Sequence, residues 1–306
     1  MTRFLSIRLS KAVFTIWFIL TLVFVITRLS GDPTQWLLPD DASATVKAEL
    51  RVSLGLDKPV GVQYVDYLTS LFTGDMGKSY HYLRPVGELF AERAGPTLTL
   101  GSISFVLAIL IGVPIGVIAA VNRNSLLDRL MMGISIAGYT IPNFVFAILM
   151  IFLFSLQLRL LPSGGMSSPL HYVMPLLTLT IDAVAGIARL TRGSMLDVLR
   201  HDYLDSARAK GVRERIVIYK HALRNALIPV VTIIGLHLGT LIGGTVVVET
   251  VFAFPGIGSL IVQAAQNRDF PVIQYGVMIV ATTVIVVNLL VDLSYGLLDP
   301  RIRDNF

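Results

Sequence analysis

The 306-residue chain contains no cysteine, which excludes disulfides, thiolate metal ligands and a cysteine nucleophile. Charge is scarce as well. Charged residues make up 15% against 54% hydrophobic, and the mean hydropathy of +0.72 is too apolar for a soluble domain, so the chain reads as an integral membrane protein long enough for several spans. Catalytic signatures are missing too. There is no His-Glu-x-x-His and no Gly-x-Ser-x-Gly, and Gly193-Ser194 stands at a span end without a paired base. Gly77-Lys78-Ser79 copies the tail of a nucleotide-binding loop, but that motif needs a glycine five positions before Gly77, where the chain has Phe72. The net charge of +5 does not call for nucleic acid. Its basic residues carry no interleaved aromatics that would stack on bases, and basic loops are what the cytoplasmic side of a multispan protein provides.

What is present is a series of apolar runs. The first, Ala12 to Ile26, follows Arg3, Arg8 and Lys11, is long for a cleavable signal, and ends in Ile26-Thr27-Arg28-Leu29 without small residues for cleavage. It is expected to be a transmembrane helix. Five more follow at about Thr97–Val121, Leu130–Leu156, Tyr172–Leu190, Ala226–Val248 and Tyr275–Leu297, each near the twenty residues that cross the hydrocarbon. The expected fold is therefore an all-α polytopic membrane protein with six transmembrane helices. Residues 1–29 form the N-terminal end and first helix, residues 30–95 a polar insertion bounded by Gly31-Asp32-Pro33 and Gly95-Pro96, and residues 96–306 the core with five helices. Arg123, Arg129, Arg192 through Arg224, Arg301 and Arg303 then fall on one side of the membrane, against Arg159 and Arg268 on the short loops opposite. The basic side is cytoplasmic by the positive-inside rule, which puts both termini inside and the insertion outside.

Within the spans, Asp182 is costly facing lipid, by about 2.5–3.5 kcal/mol on insertion scales, and is a candidate for the translocation path. Arg189 lies seven residues on, where it is expected to snorkel to the inner interface. Asp292 and Asn288 near the end of the last span raise the same question of interface or interior. Gly235, Gly239 and Gly243 repeat every four residues and give a stripe without side chains, echoed by Gly112 and Gly116. Such a stripe serves packing within the chain, a contact between subunits or a wall of the path. His237 reads as a packed histidine rather than a metal ligand, since no second ligand stands at a useful spacing. Pro114, Pro142, Pro175 and Pro229 mark positions where a helix can kink.

One long polar stretch interrupts the second half, residues 197–229. Leu196, Leu199, Tyr203 and Ala207 share one face of a helix at offsets of three and four, and Gly211 is placed to end it in the left-handed conformation. Ile216, Tyr219, Leu223 and Ala226 continue the spacing into the fifth span, so the stretch is a helical elbow leading back into the bilayer. Within it, Asp205-Ser206-Ala207-Arg208-Ala209-Lys210-Gly211 resembles the EAA loop of ABC importer permeases, with aspartate for the first glutamate. His221-Ala222-Leu223-Arg224-Asn225-Ala226-Leu227-Ile228-Pro229 resembles the dipeptide, oligopeptide and nickel branch of that superfamily. So do Leu54-Gly55-Leu56-Asp57-Lys58-Pro59, Gln63-Tyr64, Gly74-Asp75-Met76-Gly77-Lys78-Ser79, Arg84-Pro85-Val86, Ile273-Gln274 and the run from Asn288 to Asp292. Glu249-Thr250-Val251-Phe252-Ala253-Phe254-Pro255-Gly256-Ile257-Gly258 resembles that family's external loop.

The resemblance implies a transport subunit without catalysis of its own. It implies an ATPase-coupling elbow built from Tyr203, Asp205, Ser206, Ala207, Arg208, Ala209, Lys210 and Gly211, and an outer mouth that includes Glu249, Phe254, Pro255 and Gly256. The implied partners are a second, homologous permease chain, two cytoplasmic ABC ATPases and an extracytoplasmic binding protein, all at the bacterial inner membrane. ATP and magnesium would belong to the ATPases, leaving no cofactor or metal in this chain. A secondary, ion-coupled transporter with Asp182 as the coupling residue is the rival reading, and such a carrier has no use for the elbow.

Overall fold

The structure, a computed structural model, describes residues 2–298 apart from Asp40 and Met76, with side chains described except at residues 2–5, 72, 232–233, 236–242 and 292–298. It is helical almost throughout, and the described residues hold no strand, merely a lone bridge between Lys78 and Pro85. The helices are α1 (Thr2–Leu29), α2 (Thr34–Leu37), α3 (Ala44–Ser53), α4 (Val60–Thr73), α5 (Val86–Val121), α6 (Leu126–Thr140), α7 (Asn143–Met150), α8 (Leu170–Val198), α9 (Asp202–Ala209), α10 (Glu214–Ile216), α11 (Leu223–Val251), α12 (Ile257–Gln266) and α13 (Phe270–Leu298). Two stretches have wider π turns: Ile151–Gln157 after α7, and Val217–Ala222 between α10 and α11. Among the described residues four helices are long and apolar enough to cross a membrane, Ser6–Leu29, Val86–Val121, Leu170–Val198 and Phe270–Val291. The 29-residue α11 occupies the place of the fifth expected span.

Three expectations need correction. The third span, read as one helix over Leu130–Leu156, is two helices that meet at 101°. Pro142 has no amide hydrogen and crowds the residue before it, so Ile141 is extended at φ −78 and ψ 120 and closes α6. Secondly, the second span, read as starting at Thr97, is the later part of a longer helix, although the division between the chain's two compact units does fall between Gly95 and Pro96. α5 starts at Val86 and runs through Pro96 and Pro114. Thirdly, Leu196, Leu199, Tyr203 and Ala207 do not share one helix, because α8 stops at Val198 and α9 begins at Asp202.

The chain divides into two compact units. One comprises Pro96–Ser259 with the chain from Thr283 onwards, and α8 is its axis. Three apolar layers follow α8 from end to end: Met174 and Leu179 with Leu100, Ala147, Val248, Phe252 and Phe254; Ala183 and Ile187 with Ala108 and Val230; Met195 with Val117, Ala120, Leu204, Val217, Ile218, Ala222 and Ala226. Burying these side chains against protein rather than solvent or lipid is dense, close-range packing, and glycine makes it possible at α5. A Cβ on Gly116 would lie 2.5 Å from the Thr191 Cβ and 2.6 Å from the Ala188 carbonyl oxygen, and one on Gly112 would lie 3.0 Å from Ile187. That glycine pair is thus packing within the chain. At the last turns of α8, Arg192 grips Asp128 at the start of α6 with two parallel bonds, Nε to Oδ1 at 2.7 Å and Nη2 to Oδ2 at 2.8 Å. Asp128 is 3% exposed.

The other unit comprises Thr2–Gly95 with Leu260–Thr282. Leu20 and Phe24 of α1 pack on Tyr67 of α4, and the Thr21 and Tyr64 hydroxyls are bonded at 2.6 Å. The Gly77-Lys78-Ser79 turn is anchored here. Ser79 Oγ donates to the carboxylate of Asp269, which also accepts from the Tyr80 and His81 amides at 3.1 and 3.2 Å. Both Ser79 and Asp269 are buried. The sequence that imitates a phosphate loop therefore uses its serine, together with the two amides that follow it, to hold a carboxylate of the same chain.

Candidate functional site

The elbow opens with α9, whose eight residues turn one side inward. Leu204 is fully buried in the layer formed by Met195, Val117, Ala120, Val217, Ile218, Ala222 and Ala226, and Ala207 packs against the same layer. Asp202, Asp205, Ser206, Ala209 and Lys210 are exposed. Of the three small residues of the elbow, Ser206 and Ala209 are thus available for close approach by another surface, while Ala207 serves the chain itself. Leu204, the residue that fixes α9, is not marked by the sequence spacing, which runs α8 and α9 together as one helix. Counting afresh from Asp202 would have paired it with Ala207 as the inward face.

Gly211 ends α9 as expected, at φ +76. Its amide bonds the Arg208 carbonyl at 2.9 Å and the next amide, Val212, bonds the Ala207 carbonyl at 3.2 Å. This pair of bonds is a Schellman cap, and it comes with the apolar contact such caps favour, since Val212 and Ala207 pack on one cluster. Nothing lies within 4 Å of a Cβ built on Gly211, so the glycine is there for its backbone angle and not for space. Arg208 clamps the turn from outside, donating from Nε and Nη2 to the Glu214 carboxylate at 3.2 and 3.0 Å and from Nη1 to Asp205 at 2.7 Å. Glu214 first and Asp205 second hold the guanidinium pKa above its ordinary value. Tyr203, 40% exposed, accepts from the Asn225 amide at 2.7 Å and fastens α9 to the foot of α11.

At the other end of α11, Glu249 is fully buried. Its Oε1 accepts from the Thr97 hydroxyl at 2.7 Å and its Oε2 from the Ser259 amide at 3.1 Å, while Thr97 in turn accepts from the Ile257 amide at 2.8 Å. The loop lies directly against this carboxylate. A Cβ on Gly256 would stand 2.2 Å from the Glu249 Cδ, and one on Gly258 2.4 Å from the Val246 Cα. Phe254 is also fully buried, edge-on to Tyr172 with ring centroids 5.0 Å apart. Pro255-Gly256 is therefore more than a plain turn. It closes a loop wrapped around a buried acid.

Asp182 is half-buried on α8 and engaged in an interaction. Gly235 does not share an environment with Gly243: a Cβ on Gly235 would meet Val291 at 2.8 Å, whereas nothing stands within 4 Å of one on Gly243. Gly235 is packing against α13. Gly239, His237 and Asp292 lie outside the residues whose side chains are described. No group of three or more histidine, aspartate or glutamate side chains suited to a metal occurs among the described residues.

Residues 112–304 match the family described as binding-protein-dependent transport system inner membrane component, and residues 1–99 match the N-terminal component of the same systems. The chain belongs to this family. Among its relatives are the glutathione transport system permease protein GsiC of Pectobacterium atrosepticum, 43% identical over 297 residues and 97% of each chain, and that of Salmonella typhimurium, 43% identical over 304 residues and 99% of each chain. The inward-facing MetNI methionine ABC transporter superposes with a TM-score of 0.58 at 22% identity, covering 69% of this chain and 96% of that one. An amino acid ABC transporter with histidines gives 0.54 at 17%, covering 68% and 94%. At these identities the likeness is one of fold. This binding-protein-dependent permease is a subunit of an ABC importer, placed in the bacterial inner membrane. Leu204→Ala in it is expected to cost about 2–3 kcal/mol, the low end for a buried leucine because a short surface helix can settle into the gap. ATP-driven uptake should fall at least tenfold while membrane insertion is normal, and unchanged uptake would show that α9 is held by other contacts.

Proposed function

We propose that this permease carries peptides, glutathione or a closely related small peptide among them, through a pathway it forms with a second permease chain. In this reading it has six spans, both termini are cytoplasmic, α9 docks into a cytoplasmic ATPase, and an external binding protein delivers substrate to the opposite face. ATP and magnesium are held by the ATPase pair, and closure of that pair moves the docked elbows and shifts the bundle between inward and outward states. The observation that carries the proposal is α9 itself. An eight-residue helix capped at Gly211, clamped by Arg208 and seated by Leu204 presents Asp202, Asp205, Ser206, Ala209 and Lys210 as one exposed face. The 43% identity to glutathione permeases over nearly the whole chain supports the substrate class.

The test is uptake by proteoliposomes that contain the permease with its companion subunits and binding protein. ATP-dependent accumulation of labelled glutathione or a short peptide is expected, and accumulation driven by a proton gradient without ATPases would establish the ion-coupled carrier instead. Orientation is checked separately, in spheroplasts. The chain has no cysteine, so single cysteines report cleanly. Ser79 is buried, whereas Ser43 and Lys78 are exposed and serve as probes of the insertion, with exposed Ser206 for the elbow. An impermeant maleimide applied to spheroplasts should label positions 43 and 78 and not 206; the reverse pattern would turn the elbow away from any ATPase.

A further inference from the structure

Arg189 does not behave as a cation escaping to the nearer interface. α8 runs from Leu170 to Val198, so Arg189 stands nine residues, about 13 Å, from the C-terminal end and nineteen residues, about 28 Å, from the N-terminal end at 1.5 Å per residue. A snorkelling side chain would extend toward Val198. This one turns back, and its Nε donates to the carbonyl of Ala185, one turn nearer the N-terminus, at 3.3 Å. Its guanidinium carbon lies 4.1 Å from the ring centroid of Tyr139. Tyr139 is one residue before the end of α6, beside the break at Ile141-Pro142, and far along that helix from Asp128. Asp128 and Arg192 mark the other end of the same helix pair. The charge of Arg189 is thus directed inward, away from that ion pair and toward the broken middle of the span.

The chemistry of the group is left open by these contacts. A guanidinium held over a ring does not spend its N–H groups on it, and the terminal N–H groups form a fork that fits a carboxylate with two parallel bonds. Among the described residues no carboxylate pairs with Arg189, and its two terminal nitrogens make no hydrogen bond. A cation with no anion inside a span is costly unless something compensates it. Tyr139 is 54% exposed, so the shelf that holds the guanidinium is itself open on one side. We infer that Arg189, shelved on Tyr139 and aimed inward, binds the carboxylate of the transported substrate within the pathway. A peptide supplies that anion at its C-terminus. The inference rests on the peptide reading given above and adds to it the group the permease itself recognises.

The experiment compares two probes in the whole reconstituted transporter, a labelled tripeptide as the free acid and as its C-terminal amide. The binding protein's own preference is measured by titration and divided out of the uptake ratio. The unmodified permease should favour the acid, and Arg189→Gln should lower uptake of the acid at least tenfold while changing uptake of the amide less than twofold. Tyr139→Phe, which keeps the ring, should behave as the unmodified protein. Arg189→Lys keeps charge but not the fork, and should lose part of the preference, about threefold to tenfold; it provides the reading if Arg189→Gln fails to assemble. Equal losses for both probes, or no loss, would overturn the assignment. So would loss of the second permease on copurification of an otherwise intact Arg189→Gln chain, which would mean that Arg189 holds a carboxylate of that partner. If the unmodified transporter carries neither probe in either form, the peptide class is wrong and this inference falls with it.

Discussion

Asp128→Ala is expected to cost the folded permease about 3–5 kcal/mol, because it strands the Arg192 guanidinium without its anion. Asp128 is 3% exposed and its carboxylate accepts three hydrogen bonds, two from Arg192 at 2.7 and 2.8 Å and one from the Asn124 amide at 2.9 Å, while the Asp128 amide donates to Ser125 Oγ at 3.2 Å and so caps the helix start. Its place in the first turn of α6 also sets a negative charge at the favourable end of the helix dipole. Unfolding of such proteins is seldom reversible, so the readout is the half-life of the folded protein in mild detergent at fixed temperature. Arg192→Ala should shorten it comparably. The double change Asp128→Leu with Arg192→Met should recover a large part of the loss, since apolar groups of similar size often replace a buried ion pair without penalty. A half-life within twofold of the unmodified protein in Asp128→Ala would show that water replaces the pair and that α6 and α8 are held by packing.

The second large effect is expected at Gly258. Its added Cβ would lie 2.4 Å from the Val246 Cα and 2.9 Å from both a Glu249 oxygen and a Val246 methyl, and backbone atoms inside α11 cannot swing aside as a flexible side-chain end can. Gly258→Ala should therefore cost about 3 kcal/mol or more, at or beyond the upper end for overpacking. Glu249→Ala tests the same loop from its other side by removing the carboxylate to which the Thr97 hydroxyl and the buried Ser259 amide donate, a loss of about 1–3 kcal/mol for the buried amide alone. Both variants should insert and both should lose uptake, with limited proteolysis cutting first between residues 252 and 259. Wild-type resistance to protease in Gly258→Ala would mean that the loop relaxes away from α11 at little cost.

The composition and the run lengths announced a helical membrane protein, and the elbow's glycine cap was readable because Gly211 must supply a backbone angle that few other residues tolerate. Register was harder to read. The periodicity that joined Leu196 and Leu199 to Tyr203 runs across a turn at Leu199–His201, and spacing by threes and fours cannot see a short break when apolar residues flank it on both sides. The bend at Ile141-Pro142 was signalled by a proline, but proline is tolerated in α5, α8 and α11 without ending them, so the residue type alone does not tell a kink from a break. Asp128 and Arg192 lie sixty-four positions apart, and nothing local marks them as partners. The direction of Arg189 was also out of reach, since it depends on a rotamer and on a ring from another helix.

The seat of α9 also has a mechanical meaning. Leu204 touches a layer whose members come from α5 (Val117, Ala120), α8 (Met195) and the π turns and first residues of α11 (Val217, Ile218, Ala222, Ala226), while Tyr203 is tied separately to Asn225. A force applied to the exposed face of this short helix has no soft loop in which to dissipate, for the Schellman turn behind it is stiffened by the Arg208 clamp. The strain is divided among three long helices at their feet, as through a hub into spokes, so that a displacement of one side chain's width at Leu204 loads all three together rather than bending any one of them.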